Sequence, residues 1–282
     1  MTTKSIAIFW GAVFGVTMMS LPLFAFAQVP DQILDLTVNA TIDESGSTKI
    51  VETVLYDFGP KRLHGIFRNI PLQAQEGNTI RKFGITDIAV TDHEGKPIPF
   101  EAFNERTYLR LKIGDPDALV SGVVEYTISY TASTIMRGFS RFDEWLWDAT
   151  SSNWPVPILR ARVNISFPSY LPVQDLIRSC VTVPPGQTGT KETCQVGFID
   201  RTATGSTASI QMMDLNMAPK ESLQIGLGFP KGFIKNVPEV KKSVNVKNPP
   251  LIQVLPVALA VVLVGFGVRE VVRRKWPHWV RE

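Results

Sequence analysis

The chain has 282 residues, a formal net charge of +3 at pH 7 and a hydrophobic fraction of 44%. This charge does not indicate nucleic-acid binding, because residues 28–230 contain 18 Lys and Arg against 23 Asp and Glu, a net charge of −5. The basic excess lies on either side of an apolar stretch near the C-terminus, a pattern typical of segments that meet anionic lipid head groups. We therefore expect a lipid bilayer, and no nucleic acid, as a partner.

Residues 1–27 are typical of a secretory signal peptide. Lys4 provides the positive start, Ile6 to Leu23 forms the apolar run, and Ala25-Phe26-Ala27 places small residues at the two positions that signal peptidase recognises. We predict cleavage after Ala27 and export of the residues that follow. The alternative is an uncleaved membrane anchor.

Short segments of alternating apolar and polar residues, separated by turn residues, fill the region 28–230. This period predicts β-strands, and we find no amphipathic helix of three turns in the region. The strand candidates are ILDLTVNATI, STKIVETVLYDF, RKFGITDIAV, IPFEAF, TYLRLKI, VVEYTISYTA, VPILRARVNISFP, PVQDLIRSCVTV, CQVGFIDR, STASIQMMDL and ESLQIGLGFP. The sequence thus predicts a mainly β protein with an extracytoplasmic β-sandwich. A break at Asn153-Trp154-Pro155 suggests two sandwich parts, 28–153 and 154–230.

The chain has two cysteines, Cys180 and Cys194, and both fall in the exported region. An even number of cysteines outside the cytoplasm favours a disulfide between them. A metal site is not expected, because the exported histidines, His64 and His93, are far from the cysteines in sequence. We expect no cofactor either.

The C-terminal part predicts a stalk, a transmembrane helix and a basic tail. The Lys- and Pro-containing stretch 231–250 leads to the uncharged segment 251–268. At about 1.5 Å per residue this segment spans roughly 27 Å as a helix, close to the hydrocarbon thickness of a bilayer. Arg and Lys residues then begin the tail 269–282, which we expect in the cytoplasm. The predicted topology is a single-pass plasma-membrane protein with the β domain outside.

Three strings carry a more specific signal: YDFGPKRLHGIFRNIPL, LKIGDPDALVSGVVEYTISYTA and DEWLWDATSSNWPVPILRARVNISFP. In this order and at this spacing they resemble the DUF2207 family of bacterial membrane proteins, a domain of unknown function. The resemblance covers residues 33–268. It implies a signal peptide, an exported β-rich domain and a membrane helix, but no particular activity, because none is established for the family.

The string HGIFRNIP has two interpretations. As a site, it would use His64 as a general base or ligand contact and Arg68 as an anion clamp. As part of the fold, Gly65 would permit a turn, Ile66, Phe67 and Ile70 would enter the core, and Arg68 would pair with a carboxylate. We favour the second interpretation, because no nucleophile motif accompanies the histidine.

Two further strings offer candidate binding residues. Asp115 and Asp117 in IGDPD could bind a hard cation, although two aspartates fall short of a calcium loop and an Asx-turn is the preferred interpretation. Trp145 and Trp147 lie beside Asp143 and Glu144 and could form an aromatic platform for a sugar. The preferred interpretation is that both tryptophans are core anchors, with the two carboxylates on opposite faces of the strand.

The expected function is binding or scaffolding at the cell envelope, with an envelope protein or a glycan as partner and no catalytic residue assigned. One alternative is an accessory subunit whose membrane helix docks on a multi-pass complex. Another is an enzyme acting on envelope glycans. The enzyme would require exposed Trp145 or Trp147 in a groove beside two carboxylates about 5 to 9 Å apart.

Overall fold

Alternation of apolar and polar residues produces most of the strands in this chain, since successive side chains of a strand point to opposite faces of its sheet. A computed structural model describes residues 30–239, except 77–78, 152, 169–175, 186–190, 193–194, 202–206 and 236. The predicted signal peptide, transmembrane segment and tail, and Cys194, lie outside the described residues. Among the described residues no helix is long and apolar enough to span a bilayer.

The described residues form strands and no helix, so the prediction of a mainly β protein is confirmed. In chain order the strands are β1 (Gln32–Ile42), β2 (Thr48–Asp57), β3 (Ile66–Pro71), β4 (Gln73–Glu76), β5 (Thr79–Lys82), β6 (Gly84–Thr91), β7 (Phe100–Asn104), β8 (Tyr108–Ile113), β9 (Val123–Ser133), β10 (Met136–Gly138), β11 (Phe142–Asp148), β12 (Ile158–Pro168), β13 (Ile177–Val183), β14 (Lys191–Glu192), β15 (Gln195–Arg201), β16 (Thr207–Met217) and β17 (Ser222–Pro230).

Two large sheets each contain strands from both halves of the sequence. The seven-stranded sheet has the order β15-β16-β12-β1-β2-β9-β6, and the five-stranded sheet has the order β10-β11-β17-β13-β14. The N-terminal strand β1 pairs in parallel with β12, and β11 pairs antiparallel with β17. The described strands therefore do not divide into the expected sandwich parts 28–153 and 154–230. Alternation predicts a strand but does not specify its partner. The sequence therefore does not show that strands before and after Trp154 share the same sheets, and the break at Trp154 is not a boundary between sheets.

The two large sheets pack against each other through one hydrophobic core. Trp145 and Trp147 of β11 are almost fully buried in it, and Trp145 Nε1 donates a hydrogen bond to Thr48 Oγ1 of β2 at 3.0 Å. Cys180 is buried on β13 and is disulfide-bonded. Because Cys194 lies outside the described residues, its pairing with Cys180 stays a prediction.

A three-stranded sheet, β3-β8-β7, adds a further surface to this core. Its inner face contributes buried Ile66 and Ile70 from β3 and Leu111 and Ile113 from β8. Its outer face carries Phe67, which is 57% exposed. The expectation that Phe67 enters the core is therefore wrong, because the alternation of β3 directs it away from Ile66.

Candidate functional site

The arginine of HGIFRNIP lies inside the protein and forms a buried ion pair. Arg68 Nε donates to Glu52 Oε2 at 2.6 Å, and Arg68 Nη2 donates to Glu52 Oε1 at 2.7 Å. The side chains are 1% and 0% exposed. Tyr130 completes the cluster by donating its hydroxyl hydrogen to Glu52 Oε1 at 2.6 Å. Arg68 thus pairs with a carboxylate, as the fold interpretation expected, and a ligand cannot reach it without opening the core.

The remaining donors of Arg68 fix the chain after β11. Arg68 Nη1 donates to the carbonyl oxygens of Asn69 at 2.6 Å and Thr150 at 3.2 Å, and its guanidinium lies 5.8 Å from the ring centroid of Trp154. Burial lowers the pKa of Arg68 and the charge of Glu52 raises it, with a net rise. The same two residues surround Tyr130, whose pKa is raised well above its usual value by burial and then by the charge of Glu52. Through these contacts the cluster joins β2, β3, β9 and the segment after β11.

Asp148, at the end of β11, borders this cluster, and burial changes the pKa of its carboxyl group. Burial raises the pKa of Asp148 from 3.8 to about 6, while the Ser151 N–H, which donates to Asp148 Oδ1 at 2.9 Å, and the charge of Arg68 oppose the rise. Between these two pH values the folded chain holds a proton that the unfolded chain releases. The contribution of Asp148 to stability is therefore largest below about pH 4 and falls as the pH rises through about 6.

We expect Asp148→Asn to remove this fall, because an amide keeps the acceptor for Ser151 but does not ionise. The unfolding free energy of the wild type, measured relative to the variant, should drop by at most about 3 kcal/mol between about pH 4 and about pH 7. Chemical denaturation of the full chain at several pH values measures this difference. Asp117→Asn, at an exposed site, is the control, and an equal pH dependence of both variants would contradict the assignment.

The start of HGIFRNIP and the turn IGDPD lie against each other. Gly65 has φ +148° and Gly114 has φ +135°. A Cβ atom on Gly65 would lie 1.9 Å from the Ile113 carbonyl oxygen, and one on Gly114 would lie 1.9 Å from the His64 carbonyl oxygen. His64 itself is exposed and donates from Nδ1 to the Ala118 carbonyl oxygen at 2.9 Å. In the neutral ring this leaves Nε2 as an acceptor.

The two aspartates of IGDPD form a turn. The Asp117 N–H donates to Asp115 Oδ1 at 2.8 Å, which is the expected Asx-turn, and both residues are exposed. The described residues contain no group of three or more side chains that could hold a metal ion. The structure therefore places these aspartates in a turn-forming role.

The tryptophans of β11 do not form a surface platform. Trp145 and Trp147 are 0% and 1% exposed, so their proposed contact with a ligand is corrected to a core role. Asp143 points inward with them, whereas Glu144 points outward and pairs with Arg137 of β10. The two carboxylates lie on opposite faces of β11, as the alternation predicted.

An open groove of about 1190 Å³ lies where the three resembling strings meet. The first string contributes Tyr56, Lys61, residues 63–67 and Asn69, the second contributes residues 112–114 and Pro116, and the third contributes residues 153–157. His64 and Phe67 line this groove, but the exposed Asp115 and Asp117 do not. Trp154, at the break that suggested two sandwich parts, forms part of the wall and is 3% exposed. Its buried Nε1–H donates to no acceptor among the described residues.

One side of the groove is the outer face of the three-stranded sheet, with Arg110 and Lys112 of β8 pointing into it. Arg110 Nε donates to Asn69 Oδ1 at 3.2 Å, and Arg110 Nη2 donates to the Tyr108 hydroxyl at 2.9 Å. The guanidinium lies 5.8 Å from the ring centroid of Phe67 and 5.4 Å from that of Tyr108. Arg110 and Lys112 were not among the residues predicted from the sequence. Their alternation with buried Leu109, Leu111 and Ile113 signals an outward face, but it does not reveal the groove.

The fold and the groove define a β-sheet domain with an open surface groove. Residues 32–229 match the family described as "Predicted membrane protein (DUF2207) N-terminal domain", and the chain belongs to this family. The resemblance of the three strings is thus confirmed, and the family is one of predicted membrane proteins. No curated protein matches the sequence.

Similar solved structures share little sequence with this chain. They include an M1 zinc metallopeptidase from Deinococcus radiodurans, with 8% identity, a TM-score of 0.42 and coverage of 71% of this chain and 43% of that chain. A putative protease from Parabacteroides distasonis has 10% identity, a TM-score of 0.39 and coverage of 71% and 40%. Native yeast LTA4 hydrolase has 10% identity, a TM-score of 0.37 and coverage of 71% and 29%. The chain spans less than half the length of these proteins, and a likeness at this level carries no information about activity.

Proposed function

We propose that this chain is a single-pass envelope protein whose exported β domain binds a ligand in the groove. One observation carries the proposal: three strings that are far apart in the sequence contribute to the wall of the same cavity. A protein core requires buried residues, but it does not require an open cavity lined by the exposed Phe67 together with Arg110 and Lys112. Such a mixture of apolar surface and a few placed polar groups is typical of ligand sites.

The lining supports binding more than hydrolysis. Asp31 is the carboxylate in the lining, and the Lys61 ammonium group contacts it. A glycan hydrolase needs two carboxylates at the scissile bond, and Trp145 and Trp147, which that alternative would use, lie in the core. The glycan-acting alternative therefore has no support from the lining.

The predicted signal peptide 1–27 and transmembrane segment 251–268 support an orientation with the groove outside the plasma membrane and the tail 269–282 in the cytoplasm. The stalk 231–250 would then hold the domain close to the lipid surface. Membership in a family of predicted membrane proteins is consistent with this arrangement.

Thiol labelling of the full chain tests both the site and its location. Phe67→Cys places a thiol in the groove, and Leu215→Cys, at a site 51% exposed on β16 and away from the groove, is the matched control. No described cysteine is free, so we expect little maleimide labelling of the described native residues. In spheroplasts an impermeant maleimide should label both variants, and the Phe67→Cys thiol should react more slowly because the ligand covers it.

After purification and removal of ligand, the two thiols should react at similar rates. Equal rates already in spheroplasts would contradict occupancy of the groove. Absence of labelling at Leu215→Cys in spheroplasts, with labelling after lysis, would contradict the exported orientation.

A further inference from the structure

The chemistry of the groove indicates which ligand it takes, an inference that rests on the proposed function. We propose that the groove binds a lipid with a phosphate head group. Arg110 and Lys112 hold the phosphate, and the wall formed by residues 154–157 contacts the acyl chain.

The groove is a positively charged region in an acidic domain. Its lining contains Lys61, Arg110 and Lys112 against one carboxylate, Asp31, whereas residues 28–230 carry a net charge of −5. Asp31 neutralises Lys61. Lys112 Nζ lies 3.7 Å from Glu101 Oε2, and both side chains are at least half exposed, so this pair is weak. The groove therefore keeps a local positive charge that attracts an anion.

Arg110 is positioned for an anion before any ligand binds. Within the described residues no carboxylate pairs with Arg110, and only two of its five N–H donors, one on Nε and one on Nη2, are engaged. The rings of Phe67 and Tyr108 restrict the guanidinium from moving. A guanidinium held in this way and with free donors suits the bidentate hydrogen bonds that phosphate accepts.

The wall after β11 suits an acyl chain more than a peptide. Trp154, Pro155, Val156 and Pro157 supply apolar surface, and prolines have no N–H to pair with an extended peptide. On the other side, the Asn69 carbonyl of β3 is already bonded to Arg68 Nη1. The volume of about 1190 Å³ also exceeds that of most small-molecule sites, about 300–1000 Å³.

Binding to the full chain in nanodiscs of digalactosyldiacylglycerol, a neutral lipid without phosphate, tests the proposal. The probes are the short-chain lipid dihexanoyl phosphatidate, its phosphate-free counterpart dihexanoylglycerol, and glycerol phosphate, which lacks the acyl chains. We expect phosphatidate to bind most tightly and to slow the maleimide labelling of Phe67→Cys. Empty nanodiscs correct for partition of the probes into the bilayer.

Variants separate the head-group contact from the chain contact. Arg110→Gln should weaken phosphatidate binding at least about tenfold, since a hydrogen bond to a charged group is lost. Arg106→Gln, at an exposed position in the turn between β7 and β8 and outside the groove, should leave binding unchanged. Val156→Asn, which replaces apolar surface by a neutral polar group, should weaken phosphatidate binding but not the weak binding of glycerol phosphate.

Each contrary outcome has a distinct meaning. Equal binding of both short-chain lipids, or equal affinity of Arg110→Gln and Arg106→Gln, would overturn the phosphate contact. If glycerol phosphate binds as tightly as phosphatidate, the acyl chains contribute nothing, and the ligand would be a free anion and not a lipid. The thiol of Phe67→Cys could be protected from labelling in spheroplasts, while added phosphatidate fails to protect it in nanodiscs. This result would indicate that a protein segment occupies the groove. It would refute the lipid as ligand but not the groove as a ligand site.

Discussion

Arg68→Met is expected to lower the free energy of unfolding by about 3–5 kcal/mol, because it leaves the Glu52 carboxylate buried without a cation. Glu52 is 0% exposed and accepts hydrogen bonds from Arg68 and Tyr130. Glu52→Gln should have a similar effect, since it leaves the guanidinium buried and uncompensated. Denaturation of the full chain in nanodiscs, followed by tryptophan fluorescence, measures both changes.

The double variant Glu52→Leu with Arg68→Met tests whether the ion pair itself stabilises the fold. The alternative is that each single variant loses stability only because it leaves one charge buried without a partner. If the cost lies in leaving one charge behind, the double variant will be more stable than either single variant. Arg137 and Glu144 provide a matched control, because this pair of the same residue types is 20% and 17% exposed. Its truncation should cost about 1 kcal/mol or less. Equal losses at both pairs would contradict the importance of burial.

The buried pair also supports the groove, through Trp154. One side of this residue faces the Arg68 guanidinium, and the residue also lines the groove. Arg68 holds the segment before Trp154 through the Thr150 carbonyl oxygen. If the groove binds a ligand as proposed, Arg68 is therefore a positioning residue that shapes the groove without contacting the ligand.

Much of the local structure could be predicted from the sequence, because it depends on neighbours in the chain. Alternation predicted the strands and the opposite faces of Asp143 and Glu144. The polarity of Arg68 among apolar residues predicted a carboxylate partner, and the pattern of IGDPD predicted an Asx-turn. Each of these features is decided within a few residues of the chain, where the backbone period leaves few choices.

Partners distant in sequence could not be predicted in the same way. Nothing in ILDLTVNATI indicates that β1 pairs in parallel with β12, more than a hundred residues later. For the same reason the sequence did not identify Glu52 as the partner of Arg68, or the groove to which Arg110 and Trp154 belong. Strand pairing depends on which side chains fill the core together, and one sequence does not specify this.

Gly65→Ala is expected to destabilise the domain by more than about 3 kcal/mol and to abolish ligand binding. Backbone strain at a positive φ costs about 1–2 kcal/mol for a residue with a side chain. At Gly65 the added Cβ would also lie 1.9 Å from the Ile113 carbonyl oxygen. Because backbone cannot rotate away as a side chain can, β3 and β8 must separate at the edge of the groove.

Gly95→Ala isolates the strain from the clash. Gly95 has φ +80°, but a Cβ there would meet nothing within 4 Å, so this variant should lose only the strain energy and keep its groove. Gly114→Ala, with its Cβ 1.9 Å from the His64 carbonyl oxygen, should reproduce Gly65→Ala. Unfolding free energy and labelling of Phe67→Cys, measured together, separate the outcomes. If Gly65→Ala behaves like Gly95→Ala, the close approach of the two strings does not shape the groove, and the observation that carries the binding function loses its structural basis.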